Sequence, residues 1–155
     1  TMILAESGVA KTKFKSIAYK KGVTILRITS ARMLGSYGFM SALFQVFERH
    51  RTVIDVISTS EVSLALTVDS KDSIEAVVRD LERLGKVDIE DHNAVVCVVG
   101  EGLRDSSGLA AKLFSTISDI NISLISHGAS RVNVTFVVKE DSVNEVVRRL
   151  HSSFF

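Results

Sequence analysis

Two features of this 155-residue chain carry the residue types needed to hold a small charged ligand. The first is the turn Ser36-Tyr37-Gly38, which stands directly before an amphipathic run beginning at Phe39. The leading N–H groups of a helix have no partner within it, so they favour an anion such as a carboxylate. Gly38 lets a ligand approach the backbone closely. The same residues also read simply as a glycine turn and a helix start. The second feature is Asp55, inside the apolar strand Val53-Ile54-Asp55-Val56-Ile57. Alternation puts it on one face with Val53 and Ile57 and implies partial burial. A buried carboxylate is costly unless paired. Its partner is then an Arg or Lys of this chain, or the ammonium of a ligand.

Other chemistries are poorly supplied. His50, His92, His127 and His151 lie far apart, and no two share metal-ligand spacing with Cys97. Cys97 stands among valines in mid-strand and reads as a small buried apolar residue. Gly100-Glu101-Gly102 follows a strand, but the next glycine, Gly108, comes too late for a dinucleotide fingerprint. There is no Gly-Lys-Ser/Thr phosphate loop. Segments 23–29 and 62–68 lack the aromatics on which an RNA module stacks bases. Lys and Arg number 19 and Asp and Glu 18, a net charge of +1 that argues against charge-driven nucleic-acid binding. No acid, base and nucleophile constellation is found. The chain is expected to hold no active site, metal or cofactor of its own.

These features need elements to position them. A composition of 46% hydrophobic and 24% charged residues belongs to a folded chain. The single cysteine excludes an internal disulfide framework and fits the cytoplasm. No apolar stretch is long enough for a membrane span, and no signal peptide is recognised at the start. Thr precedes the first Met, as in a segment of a longer protein. Residues 23–29 read as a strand, and Phe39, Leu43, Val46, Phe47 and His50 mark a helix. Segments 53–58 and 62–68 read as strands. Ile74, Val77, Val78, Leu81 and Leu84 mark a second helix, with Asp72 and Glu75 as a cap and Gly85 closing its end. Residues 86–91 form a short fourth strand.

The order then recurs. Segments 93–99, 122–126 and 132–139 read as strands. Helices are marked by Leu109, Leu113, Ile117 and Ile120, and by Val143, Val146, Val147 and Leu150. Ile54–Ser58 aligns with Ile122–Ser126, so Ser123 stands where Asp55 does. A repeat of about 70 residues fits one β-α-β-β-α-β unit, four antiparallel strands with two helices on one face. The fold class is therefore α+β, with two ferredoxin-like modules. The second lacks a fourth strand, while residues 14–20 alternate and lack a partner. The simplest division inserts the first module, 21–91, into a second built from 14–20 and 92–155. Residues 1–13 show no periodicity and read as a linker.

The run Met33-Leu34-Gly35-Ser36-Tyr37-Gly38-Phe39, with Val53-Ile54-Asp55-Val56-Ile57-Ser58-Thr59-Ser60-Glu61-Val62-Ser63, resembles the first ACT domain of aspartate kinase, most closely the lysine-sensitive class. His127-Gly128-Ala129-Ser130, followed by Asn133-Val134-Thr135-Phe136-Val137-Val138, resembles that family's second ACT domain. The resemblance covers about residues 14–155. It implies an amino-acid-sensing regulatory region. The parent enzyme would use ATP and Mg to convert L-aspartate to 4-phospho-L-aspartate, with its kinase domain outside this chain. It implies feedback inhibition by L-lysine bound between two first ACT domains of a homodimer, without nucleic acid or membrane. Carried over by position, the lysine contacts are Met33, Ser36, Gly38, Phe39, Met40, Val53, Asp55, Thr59 and Ser60. Two residues depart from the class, Gly35 where a His is common and Arg32 where an Asn is common. An inward-pointing Arg32 would disfavour a cationic effector. Threonine, another amino acid, or a purely structural dimerisation role are the alternatives.

Overall fold

The computed structural model describes residues 2–5, 14–69 and 74–155. They divide into two compact units, Gly22–His92, and Thr1–Lys21 with Asn93–Phe155. The first module is inserted in the second. Its strands are β2 (Phe14–Thr29, by its C-terminal half), β3 (Ile54–Thr59), β4 (Ser63–Asp69) and the start of β5 (Lys86–Gly100). They lie in the order β3-β4-β2-β5. Helices α1 (Phe39–Arg49) and α2 (Ile74–Leu81) cover one face. The amphipathic spacing read from the sequence explains why. Leu43, Val46 and Phe47 of α1 and Val77 and Leu81 of α2 meet Leu26, Ile28, Leu64, Leu66 and Val68 in one core.

In the second module the order is β2-β5-β7-β6, with β6 at Ile122–His127 and β7 at Asn133–Lys139. Its helices are α3 (Leu109–Ser115) and α4 (Val143–Phe154). Phe14 and Ile17 sit in this core, and the Phe14 ring lies 4.3 Å from that of Phe154. The early strand thus fills the place the repeat leaves open.

Several expectations need correction. Met2–Ala5 is not linker but β1, antiparallel to β2 with Ile3 opposite Ala18 and Leu4 opposite Ile17. Four residues are too few to show a period, although their apolar character was visible. The rest of 1–13, and the Asp72 cap, lie outside the described residues. Segments 86–91 and 93–99 form one strand, interrupted only by the left-handed φ of His92, 59°. Helix α3 ends at Ser115, and Ile117 reaches the core from the turns that follow. Cys97 is half-buried, because Ala94, Val96 and Val98 take the core-facing positions. Gly85 does not adopt the left-handed form of a helix terminator. Its smallness has another cause: a Cβ there would lie 2.5 Å from the Thr29 carbonyl oxygen.

One irregularity repeats in both modules. Ile54 pairs with Val68 and Ile57 with Leu66, so three steps along β3 match two along β4. In the second module Ile122 pairs with Val138 and Ile125 with Phe136, the same mismatch. Each is a bulge, at Asp55–Val56 and around Ser123. In the first module the Val56 N–H donates to the buried Thr67 hydroxyl at 3.0 Å. Thr67→Val keeps the shape and removes that acceptor. It is expected to cost about 1–3 kcal/mol, read as a fall in the denaturation midpoint at unchanged m-value.

Candidate ligand site

The turn is built from β2 outward. Beyond Thr29, the Ser30 N–H donates to the Val62 carbonyl at 2.9 Å, tying the turn to the β3–β4 connection. The Ser30 hydroxyl accepts from the Arg32 N–H at 3.3 Å and starts a short 3-10 turn, Ala31–Met33. Gly35 and Gly38 then take left-handed φ values of 68° and 80°. Gly38 is the N-cap of α1, and no side chain caps that helix. Nor does its first turn contain an acidic residue. The helix start therefore presents backbone N–H groups without a competing carboxylate nearby in sequence. Phe39 belongs to the core, whereas Met33 is half-buried and Ser36 and Met40 are exposed.

Strand register decides which candidate residues share an end of the module. Through β4, Thr59 is level with Leu64 and Ile28, and Ile54 is level with Val68 and Thr24. Thr59 and Ser60 thus lie at the end where β2 leads into the turn. Asp55 lies at the other end of β3, beside Val53 and beyond the C-terminus of α1. An 11-residue helix spans about 16 Å at 1.5 Å per residue. That is longer than an extended lysine. Within one copy, Met33, Ser36, Gly38, Phe39, Met40, Thr59 and Ser60 therefore share one end, while Val53 and Asp55 share the other.

Asp55 is exposed rather than partly buried. The alternation holds, with Val53, Asp55 and Ile57 on one face, but that face is the solvent face, and Val56 on the other face is the buried residue. Its apolar neighbours are exposed too, Val53 at 67% and Ile57 at 36%. At the turn end, Leu34 is 63% exposed and Tyr37 fully so. Thr59 and Ser60 border a hollow of about 240 Å³ that Arg27 and Asp88 also line. The Ser60 and Ser63 hydroxyls lie 2.6 Å apart there.

Two interactions escaped the sequence reading. Arg32 does not point inward. Its terminal nitrogen donates to the carbonyls of Arg83 and Leu84, at 2.8 and 2.7 Å. At the far end of α1, Asp80 of α2 takes a hydrogen bond from His50 at 2.9 Å and one from Arg49 at 3.1 Å. The His50 hydrogen bond foremost, with the Arg83 and Arg49 charges, holds the Asp80 carboxyl below the usual carboxylate range. The basic residues at the end of α1 were a visible signal for the second contact. Nothing in sequence spacing signalled the first. Among the described residues, no cluster of His, Cys, Asp and Glu could hold a metal ion.

The two modules match the ACT domain family over residues 26–82 and 96–154, most of the chain. The chain belongs to that family. Across its whole length it is also 37% identical to a chloroplastic aspartokinase of Arabidopsis thaliana, of which it spans 30%. The lysine-sensitive aspartokinase 3 of Escherichia coli is 33% identical over 92% of this chain and 33% of its own length. Escherichia coli aspartokinase III in complex with lysine and aspartate superposes with a TM-score of 0.84 at 32% identity, over 96% of this chain and 35% of that one. A chain called a C-terminal regulatory domain of aspartate kinase, from Porphyromonas gingivalis W83, gives 0.80 at 29% identity over 90% of this chain and 96% of its own. The ACT pair described here thus matches the regulatory region of aspartokinases and spans about a third of those enzymes. No helix among its described residues is long and apolar enough to cross a membrane.

The ACT turn depends on the left-handed Gly38, where a Cβ would meet no atom within 4 Å. Strain, not collision, is then the cost of a side chain. Gly38→Ala is expected to lose about 1–2 kcal/mol, and Gly38→Asn to lose less, since asparagine tolerates this conformation. Chemical denaturation of the two variants checks the order.

Proposed function

We propose that this chain is the effector-binding region of an aspartate kinase and that it binds L-lysine between the first ACT domains of a two-fold homodimer. The carrying observation is that the helix start at Gly38 and the carboxylate of Asp55 lie at opposite ends of one module. A two-fold axis beside the edge strand β3 runs the two copies antiparallel and sets the Gly38 turn of one near Asp55 of the other. Each of two equivalent sites then has N–H donors for the ligand carboxylate and an anion for an ammonium. The contacts carried over from the resemblance, Met33, Ser36, Gly38, Phe39, Met40, Val53, Asp55, Thr59 and Ser60, all belong to these two ends. The exposed Leu34, Tyr37, Val53 and Ile57 give such a contact apolar surface to cover. The lysine complex of the Escherichia coli relative supports the choice of ligand. The engaged Arg32 removes the objection that its charge repels a cation.

In the parent enzyme a separate kinase domain, using ATP and Mg, phosphorylates L-aspartate to 4-phospho-L-aspartate, and we place that enzyme in the cytoplasm. Lysine inhibits it by binding better to the inactive arrangement, with a typical coupling of about 1–3 kcal/mol. This chain alone has no kinase activity.

Calorimetric titration with L-lysine tests the reading. Asp55→Ala is expected to weaken binding by about tenfold, as one lost charge-assisted hydrogen bond does, while Ser123→Ala leaves it unchanged. Equal binding by Asp55→Ala and the unaltered chain overturns the site. Weakening by Ser123→Ala alone moves the ligand to the second module, and binding of threonine in place of lysine changes the effector. Light scattering, with and without lysine, is expected to give a dimer. A monomer under both conditions refutes a site shared between copies.

A further inference from the structure

Two observations meet where the ligand-binding turn leaves β2. The first is the Arg32 side chain, whose terminal nitrogen donates to the Arg83 and Leu84 carbonyls at 2.8 and 2.7 Å. These carbonyls lie past the last residue of α2, Leu81. The Gly85 N–H turns back to the Leu81 carbonyl at 3.2 Å, and the Leu84 N–H does the same at 2.8 Å. The Arg83 and Leu84 carbonyls are acceptors of the turn that follows the helix, and a cation near a helix C-terminus is favourable. The second is the contact on the other side of the same junction. Gly85 comes so close to Thr29 and Ser30 that a Cβ would lie 2.5 Å from the Thr29 oxygen and 2.9 Å from the Ser30 Cβ. Ser30 in turn starts the 3-10 turn that carries Met33.

We infer that Arg32 is a positioning residue for the effector site, a clamp that fastens the turn carrying Met33–Gly38 to the C-terminal end of α2 and holds it in its binding shape before ligand arrives. The inference rests on the lysine reading above and adds to it a residue that touches no ligand. The turn has reason to need fastening. It contains two left-handed glycines and exposed Leu34, Ser36 and Tyr37, so few of its own contacts restrain it. A ligand that binds only the ordered turn has its affinity reduced by the fraction of copies in which the turn is ordered. The clamp raises that fraction. It also directs the Arg32 guanidinium to the turn after α2. One terminal nitrogen reaches both carbonyls, so a lysine ammonium at this position has the chemistry to substitute.

The test uses the full chain and two readouts, amide hydrogen exchange of residues 31–38 without ligand, and calorimetry with L-lysine. Arg32→Ala is expected to speed exchange in that segment and to weaken lysine by about three- to tenfold, while exchange in β4 and α1 stays as it was. Arg32→Lys is expected to restore both readouts to within about twofold of the unaltered chain. Gly85→Ala, which pries open the same junction from the α2 side, is expected to speed exchange in the same residues. Unchanged exchange and unchanged affinity in Arg32→Ala overturn the inference. So does tighter lysine binding, which would make Arg32 a repelling charge rather than a clamp. If the unaltered chain binds no lysine, the effector reading fails by itself. Exchange in residues 31–38 then still decides the clamp, faster in Arg32→Ala supporting it and unchanged overturning it.

Discussion

The position of β4 between β3 and β2 governs the first module. Its Leu64, Leu66 and Val68 are buried in the core, so β4 has no freedom to slip by one residue without turning them all to solvent. With β4 fixed, its two neighbours are fixed against it, and through it against each other. That register puts Thr59 level with the end of β2 and Asp55 beside the level of Thr24, where β2 enters the first module. It forces the bulge at Asp55–Val56, because three steps of β3 must fit two of β4. The separation of the two charged ends of the candidate site follows from this packing requirement and not from any property of the site residues themselves.

The repeat separates what the fold requires from what it tolerates. Both modules have the bulge, and both start their first helix from a left-handed glycine, Gly38 or Gly108, with no side-chain cap. These belong to the scaffold. Asp55 in one module and Ser123 in the other occupy the same bulge, so scaffold geometry does not call for the carboxylate. The residue serving the bulge differs as well. Thr67 supplies a hydroxyl to the Val56 N–H in the first module, where the second has Val137 opposite Leu124. A hydroxyl on a fully buried residue is kept only where it has a bond to make. The first module therefore anchors its bulge by a device the second lacks, at the residue next to the proposed ligand contact.

How much of this was legible depended on the range of the interaction. Period-two and period-3.6 patterns located both helices of each module, because a buried face imposes its period on the sequence. The 70-residue repeat then gave the module, and the unpartnered strand at 14–20 gave the insertion. Alternation places Asp55 correctly with Val53 and Ile57, but a strand with apolar residues on both faces does not say which face is covered, and here it is the Val56 face. Gly85 reads from the sequence as a helix terminator, whereas its smallness serves a close approach to Thr29. A helix end and a close approach both select glycine, and only the distance to Thr29 tells them apart. Arg32 stands out in the sequence as an unusual charge, but its partners lie about fifty residues further along the chain, where no local pattern points.

The insertion of one module into the other also shapes the order in which the chain acquires structure. Residues 22–92 are contiguous, and their sheet needs nothing that follows them. Residues 14–21 are made first yet have their β5 neighbours only after the whole inserted segment has left the ribosome. An unstructured insert of that length would have to be closed as a loop, a cost that rises by about 0.6 kcal/mol for each doubling. A folded insert changes the problem. Inside the first module the Thr24 hydroxyl donates to Asp91 at 2.6 Å, so the two points where the chain leaves that module are already side by side. For the second module the long connection behaves as a short one, and its non-local strand pairing gains the speed of a local contact.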